Sequence, residues 1–368
     1  MIKILQIGMT RNIGGLETYL MQQFRHLDRS RVTYDFVNIT AEHEIVFADE
    51  IRAAGSEIFG VVSRHKSPIK HYLQWLRLLW RTRGRYKAIV LNSTGLSYVF
   101  PIFAAMFFGI PIRIMHSHNA GFESNIGAAR RLLIAFNKVL MLLSATHFFA
   151  CSPEAGRWMF GNRAFTVINN AIDCRQFRYS LERRNRKRRE LGLENAFVLG
   201  HVGRFTYPKN HAFLIEVFAA IARKMPDAML ILIGDAVEDR SFLDEARCKV
   251  RDYELDSRVR FLGMRTDVAE LFQAMDCFLL PSRFEGLGIV AIEAQAAGPP
   301  RIVSSAVPRA AEITRELLKF LPLDAIDAWV EAIENARSVR RRDTTIEIAE
   351  AGYDIRREIE KLERFFEE

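Results

Sequence analysis

Two carboxylates, Glu285 and Glu293, bracket the turn Gly286-Leu287-Gly288 within residues 284–293. Glycines let a backbone approach a ligand closely. The run from Leu287 to Ala297 reads as helical, so the turn sits at a helix N-terminus, where free N–H groups and the positive dipole end suit a phosphate. At ~1.5 Å rise per residue Glu293 stands about 8 Å or more along the helix from the turn. A retaining glycosidase brings its carboxyls to about 5 Å. The pair therefore reads as two grips on separate parts of one extended ligand, with a sugar hydroxyl as one of the groups held. The plainer alternative is a helix start whose acid favours the dipole, followed by an exposed glutamate two turns on.

Four further loops follow expected strands. In Thr10 to Glu17 the pair Gly14-Gly15 precedes a helix and suits a phosphate, or is simply a turn; it is not a G-x-G-x-x-G. In Met115-His116-Ser117-His118-Asn119 the two histidines are read as pointing opposite ways, and so as a poor metal pair. One of them could act on a sugar or an acceptor hydroxyl, or be a polar cap. In Val202 to His211, Arg204 and Lys209 lie within six residues after a strand. Arg supplies a planar fork and Lys a point charge for a diphosphate. In Leu262-Gly263-Met264-Arg265 the backbone could take a flat base. There is no Asp-x-Asp pair with a third ligand to suggest a divalent metal. The cations and a helix dipole would then stabilise a leaving diphosphate.

The elements that must position these loops alternate. Short apolar runs at 2–8, 33–39, 57–62, 88–92, 112–116, 146–150 and 165–168 are separated by helical patterns such as Leu16, Leu20, Phe24 and Leu27. This is the rhythm of a parallel sheet covered by helices. The charge run Arg183 to Arg189 interrupts it and reads as a surface helix leading out of a linker. Strands then resume at 197–203, 228–234, 259–263, 276–281 and 301–304. Two α/β sheets in series are expected to face one another across a cleft, with ligands at the carboxyl ends of the strands.

Composition is that of a globular chain: 368 residues, 49% hydrophobic and 26% charged. Residues 1–7 read as a strand rather than a signal peptide, and Tyr98 to Met115 is too broken by Pro101, Gly109, Pro111 and Arg113 to span a bilayer. Four scattered cysteines (Cys151, Cys174, Cys248, Cys277) without a C-x-x-C suit reduced thiols in a cytosol. The charge is uneven. Residues 1–175 hold 21 Lys/Arg against 11 Asp/Glu, and residues 176–368 hold 31 against 33. Much of the excess lies in Arg64 to Lys87, among Tyr72, Trp75, Leu76, Leu78, Leu79 and Trp80. That mixture suits an anionic membrane surface, or an amphipathic helix with its apolar side buried and a basic face in water. No helix-turn-helix, zinc-finger or RNA-binding signature points to nucleic acid.

Gly203-Arg204, Lys209-Asn210-His211 and Glu285-Gly286-Leu287-Gly288 through Glu293-Ala294 to Ala297-Gly298 together resemble the retaining GT-B glycosyltransferases of family 4. Gly14 to Tyr19 and Arg113 to Asn119 are similar to the branch that builds capsular and exopolysaccharides. The resemblance spans nearly the whole chain. It implies an α/β GT-B fold: a Rossmann-like acceptor domain over 1–175, a Rossmann-like nucleotide-sugar domain over 176–350, and a helix over 351–368 crossing back. It implies an enzyme that moves a sugar from a nucleoside-diphosphate sugar, UDP-linked in expectation, to a lipid-linked saccharide with retention, and needs neither cofactor nor metal.

By the same resemblance Arg204 and Lys209 bind the donor diphosphate, Glu285 holds donor-sugar hydroxyls, and the amides of Gly286, Leu287 and Gly288 lie near the phosphates. Glu293 binds the ribose, while Gly14 and Gly15 close on the phosphate. Met264 and Arg265 belong to the donor site, and His118 or His116, with Asn119, lies near sugar and acceptor. His118 is the preferred histidine. Pro299-Pro300 and Ala236 depart from the family pattern without removing a proposed group. The expected location is the cytoplasmic face of the membrane, held there peripherally by the basic first half. The alternatives are a nucleotide-sugar 2-epimerase on the same fold and a non-catalytic basic module binding membrane or RNA.

Overall fold

The computed structural model describes residues 1–119, 121, 127–236 and 239–368. The chain divides into two compact units, residues 1–172 with 355–368, and residues 173–354.

The first unit is built on seven parallel strands: β1 (Ile2–Ile7), β2 (Val32–Asn38), β3 (Ile58–Gly60), β4 (Ala88–Ser93), β5 (Ile112–Ser117), β6 (His147–Ala150) and β7 (Thr166–Val167). Their order is β3-β2-β1-β4-β5-β6-β7. Among the described residues six helices alternate with them: α1 (Gly15–His26), α2 (Ala48–Ala53), α3 (Pro68–Arg81), α4 (Phe100–Phe107), α5 (Ala128–Ser144) and α6 (Pro153–Phe160). Successive strand residues serve opposite faces, which is why these strands read as unbroken apolar runs. Ile4, Phe36, Val90 and Ile114 pack with Tyr19, Leu20 and Phe24 of α1. Leu5, Leu91 and Met115 pack on the other face with Trp75 and Leu79 of α3, Ile102 of α4 and Met141 of α5.

The second unit has six parallel strands: β8 (Phe197–Val202), β9 (Ala228–Ile233), β10 (Val259–Gly263), β11 (Cys277–Leu280), β12 (Arg301–Ser304) and β13 (Leu318–Leu321), in the order β10-β9-β8-β11-β12-β13. Its helices are α7 (Cys174–Phe177), α8 (Leu181–Leu191), α9 (His211–Lys224), α10 (Ser241–Asp252), α11 (Val268–Ala274), α12 (Ile289–Ala297), α13 (Ile326–Ala336) and α14 (Thr345–Glu350). The closing helix α15 (Ile355–Glu367) returns to the first unit and puts Ile359, Leu362 and Phe366 into the core under α1.

Four details differ from the sequence reading. Helix α12 begins at Ile289 rather than Leu287, because Gly288 takes φ +73°, a left-handed conformation that ends the turn and caps the helix. Strand β13, Leu-Lys-Phe-Leu, was not among the expected strands because Lys319 breaks its apolar run. Helix α8 is a surface helix, with Glu182, Asn185, Arg186 and Arg189 exposed, but its other face is not solvated. Its inner face holds Arg184 and Arg188 against Asp276, Lys187 against Asp267 at 2.9 Å and Arg183 against Glu270 at 2.8 Å. Arg184 and Arg188 also donate to carbonyls of residues 273–275 at the end of α11, where the dipole favours cations. Helix α3 buries Trp75 and Leu79, but its Leu76 and Trp80 stay exposed.

Candidate functional site

In the second unit the strand order reverses between β8 and β11. Loops leaving the carboxyl ends of two such strands diverge and open a crevice. The loop after β8 carries Arg204 and Lys209, and the loop after β11 carries Glu285 to Gly288. Here the structure joins them: Lys209 Nζ donates to Glu285 Oε1 at 2.6 Å. The backbone ties the loops as well, since Arg283 N donates to the Pro208 carbonyl at 2.7 Å and the Arg283 guanidinium lies 4.4 Å from the centre of the Tyr207 ring.

The β8 loop is seated by the end of β9. Gly203 N donates to Ile233 O at 2.9 Å and Phe205 N to Asp235 O at 3.2 Å. Gly234 has φ +136°, and a Cβ there would lie 2.1 Å from the Gly203 carbonyl oxygen, so only glycine permits this approach. Lys209 ends a short 3-10 turn (Tyr207–Lys209), and Asn210 at φ 55° starts α9. The Arg204 side chain is exposed and has no partner among the described residues.

Two residues that the motif reading missed support the pair. Ser282, fully buried, donates its hydroxyl to the same Glu285 oxygen at 2.6 Å and accepts on its own carbonyl from the Ser304 hydroxyl. Its Ser-x-x-Glu spacing to Glu285 was the available signal. His201 lies in β8 beneath the Lys209 loop and donates from Nδ1 to the Leu279 carbonyl at 2.8 Å. Burial lowers its pKa to about 4, so it is neutral beside Lys209. No sequence signal marks it, because a strand histidine looks the same whether buried or capping.

Glu293 lies in the second turn of α12. It makes no hydrogen bond or ion pair among the described residues. The carboxyl keeps some contact with solvent, yet the packing around it pushes its pKa up to about 7, with Lys209 opposing the rise. Gly286 and Leu287 lie in the turn before Gly288. Met264 is exposed at the end of β10, and Arg265 is held by both oxygens of Asp267 at 2.7 Å. The Arg265 guanidinium is therefore engaged by Asp267.

A second cluster lies in the first unit, whose strand order reverses between β1 and β4. Gly14 caps α1 in extended conformation and Gly15 opens it. The Thr10 hydroxyl donates to Glu17 at 2.6 Å across this loop. His116 and His118 do not point opposite ways: their ring centres are 4.0 Å apart and both contact Tyr19 edge-on. Residues i and i+2 of a strand share a face, which corrects the expectation.

His116 is fully buried and His118 partly accessible. Burial depresses both, His118 to about 3, so neither carries a proton charge near neutrality. Asn92 Nδ2 donates to the Ile7 carbonyl at 2.9 Å, which fixes its amide and turns Oδ1 toward His118 Nε2 at 3.1 Å. His118 thus carries its proton on Nε2, which leaves Nδ1 as an acceptor that is buried and has no partner among the described residues. Asn119 donates to Gly121 O at 2.9 Å.

Similarity to known proteins extends over both units. The profile described as "Glycosyl transferases group 1" matches residues 183–348, and that described as "Glycosyl transferase 4-like domain" matches residues 14–166. The chain is 30% identical to the putative glycosyltransferase EpsF of Bacillus subtilis, over 98% of this chain and 95% of that one. It is 24% identical to the UDP-Gal:alpha-D-GlcNAc-diphosphoundecaprenol alpha-1,3-galactosyltransferase of Escherichia coli, over 90% of this chain and 87% of that one. Among solved structures it is similar to Anabaena Alr3699/HepE in complex with UDP and glucose, with a TM-score of 0.78, 20% identity and complete coverage of both chains.

Proposed function

The chain belongs to the glycosyl transferases of group 1 and uses a nucleotide-sugar donor; on that premise we propose that it moves a hexose from a UDP-sugar to a lipid-linked saccharide, with retention, in the synthesis of a capsular polysaccharide, an exopolysaccharide or an O-antigen. The observation that carries this reading is the Lys209–Glu285 pair at the β8/β11 reversal, beside the N-terminus of α12. The Escherichia coli relative supports the acceptor class, since its name gives a diphosphoundecaprenol-linked sugar. The UDP and glucose of the Anabaena structure support the donor.

Residues 173–354 take the donor. Lys209 leaves Glu285 for the diphosphate, joined by Arg204 and the amides of Gly286 to Gly288. The freed Glu285 then accepts from donor-sugar hydroxyls, and Glu293 accepts from the ribose. Backbone at Met264 and Arg265 meets the base. Positive charge from Lys209, Arg204 and the helix end stabilises the diphosphate as it departs from an oxocarbenium-like centre. Residues 1–172 take the acceptor. There His118 lies near the sugar and the acceptor, and Gly14-Gly15 approaches phosphate. The work is done at the inner face of a membrane.

The test is transfer from a UDP-hexose to a diphosphoundecaprenol-linked saccharide. Lys209→Ala and Glu285→Ala are each expected to lower turnover at least about a hundredfold with unfolding midpoints retained. Full activity in both would sink the site assignment. Donor consumed without any acceptor would point to the epimerase instead.

A further inference from the structure

Two helices of the first unit carry an apolar stripe that none of the described residues covers. On α3 the residues Ile69, Leu73, Leu76 and Trp80 are 40–77% exposed. On α5 the residues Leu132, Phe136, Val139 and Leu143 are 55–74% exposed. Both sets follow i, i+4, i+7, i+11, so each is a single stripe along its helix. The inward sides are separately satisfied by Trp75 and Leu79 on α3 and by Met141 on α5. The two stripes lie on the same side of the sheet, and α4 packs between α3 and α5 with Phe107 exposed. Scattered exposed leucines need no explanation, but two aligned rows in one layer do.

The segment that carries them is basic, although its Arg85 is paired with Asp35 and Glu57 and its Lys87 donates to the Glu367 carbonyl. Residues 58–153 hold twelve Lys/Arg and a single acid, Glu123. Lys70, Arg77 and Arg81 flank the α3 stripe and are exposed, while Arg83 lies over the Trp80 ring at 5.5 Å. Arg130 and Arg131 stand exposed at the start of the α5 stripe. We propose that the outer surface of the α3–α4–α5 layer docks on an anionic lipid bilayer, the two apolar stripes entering the headgroup region and the cations meeting lipid phosphates. A second copy is the poorer occupant, because pairing this face with itself would oppose two strongly basic segments. Lipid phosphate neutralises the cations and its acyl boundary takes the stripes. The inference deepens the proposed function, whose lipid-linked acceptor puts the substrate at a membrane, but its test needs neither donor nor acceptor.

The full chain is sedimented with vesicles of phosphatidylglycerol and phosphatidylcholine, and with phosphatidylcholine alone. The wild type is expected to bind the anionic vesicles and leave them as salt rises. Leu73→Gln/Trp80→Gln and Phe136→Gln/Leu143→Gln are each expected to weaken partition about tenfold or more, with unchanged thermal unfolding. Variants that bind as wild type does, or a wild type that stays in the supernatant, would overturn the proposal. So would a wild-type dimer in sedimentation velocity that the same variants dissolve. UDP-induced thermal stabilisation is read in the same preparations. Its absence counts against the donor site and leaves the membrane surface standing.

Discussion

At Glu293 the side chain's chemistry and its place in the fold conflict, and the conflict is measurable. Its carboxyl is raised from 4.5 to about 7 by burial. A group raised in the folded state contributes stability that is fully present below its unfolded value and is lost as pH rises through its folded value. Glu293→Gln is therefore expected to match the wild type near pH 4 and to be the more stable protein near pH 8, by no more than about 3 kcal/mol. Nucleotide affinity should move the other way. An ionised carboxylate accepts more strongly from ribose hydroxyls, so wild-type UDP affinity rises through pH 7 and the Gln variant stays flat. A pH-independent wild type in both thermal and binding titrations would remove Glu293 from the site. Lys209 and Glu285 illustrate a different point: each was legible as a ligand group, but their mutual ion pair was not, because their loops lie 76 residues apart in sequence.

At the scale of elements, the β8 loop is shaped by the strand beside it. Gly234→Ala would put a methyl carbon against the Gly203 carbonyl at a φ that L residues rarely adopt. The expected cost is about 2 kcal/mol or more, from overpacking and backbone strain together. UDP binding should weaken as the Arg204–Lys209 segment is displaced. Gly263→Ala in the same unit gives the cost of a milder left-handed strain without the close approach. Gly263 has φ +66° with open space around it, so it carries the strain alone, about 1 kcal/mol. Urea unfolding of both variants decides the matter, and equal losses would mean that the close approach contributes nothing. The elements themselves were largely legible, since strands buried on both faces are continuous apolar runs. The start of α12 was not, because residues 287–292 carry no polar side chain to cap the helix and only the φ of Gly288 sets the first helical residue.

At the scale of the molecule, α15 closes the first unit from the far end of the chain. Ile355, Ile359, Leu362 and Phe366 are buried in that unit, and Arg31 pairs with Glu363 and Glu367. At ~1.5 kcal/mol or more per buried side chain, deletion of residues 355–368 is expected to cost the first unit on the order of 6 kcal/mol. Calorimetry should show its transition lowered or lost while that of residues 173–354 persists. A single unaltered transition would contradict this division of stability.

The sequence alone determined the alternation of strands and helices, the basic bias of the first half and the loops that hold Arg204, Lys209, Glu285 and Glu293. These are local properties: side-chain period, composition and turn residues act over a few positions. Tertiary structure decided what depends on distant partners. It paired Lys209 with Glu285 and brought Ser282 and His201 to them. It set His116 and His118 side by side and depressed both by burial, and it turned the charge run of α8 inward to meet Asp267, Glu270 and Asp276. It also left the α3 and α5 stripes facing outward. An amphipathic pattern says that a helix has an apolar face, but only packing against the sheet determines which apolar residues that face can use.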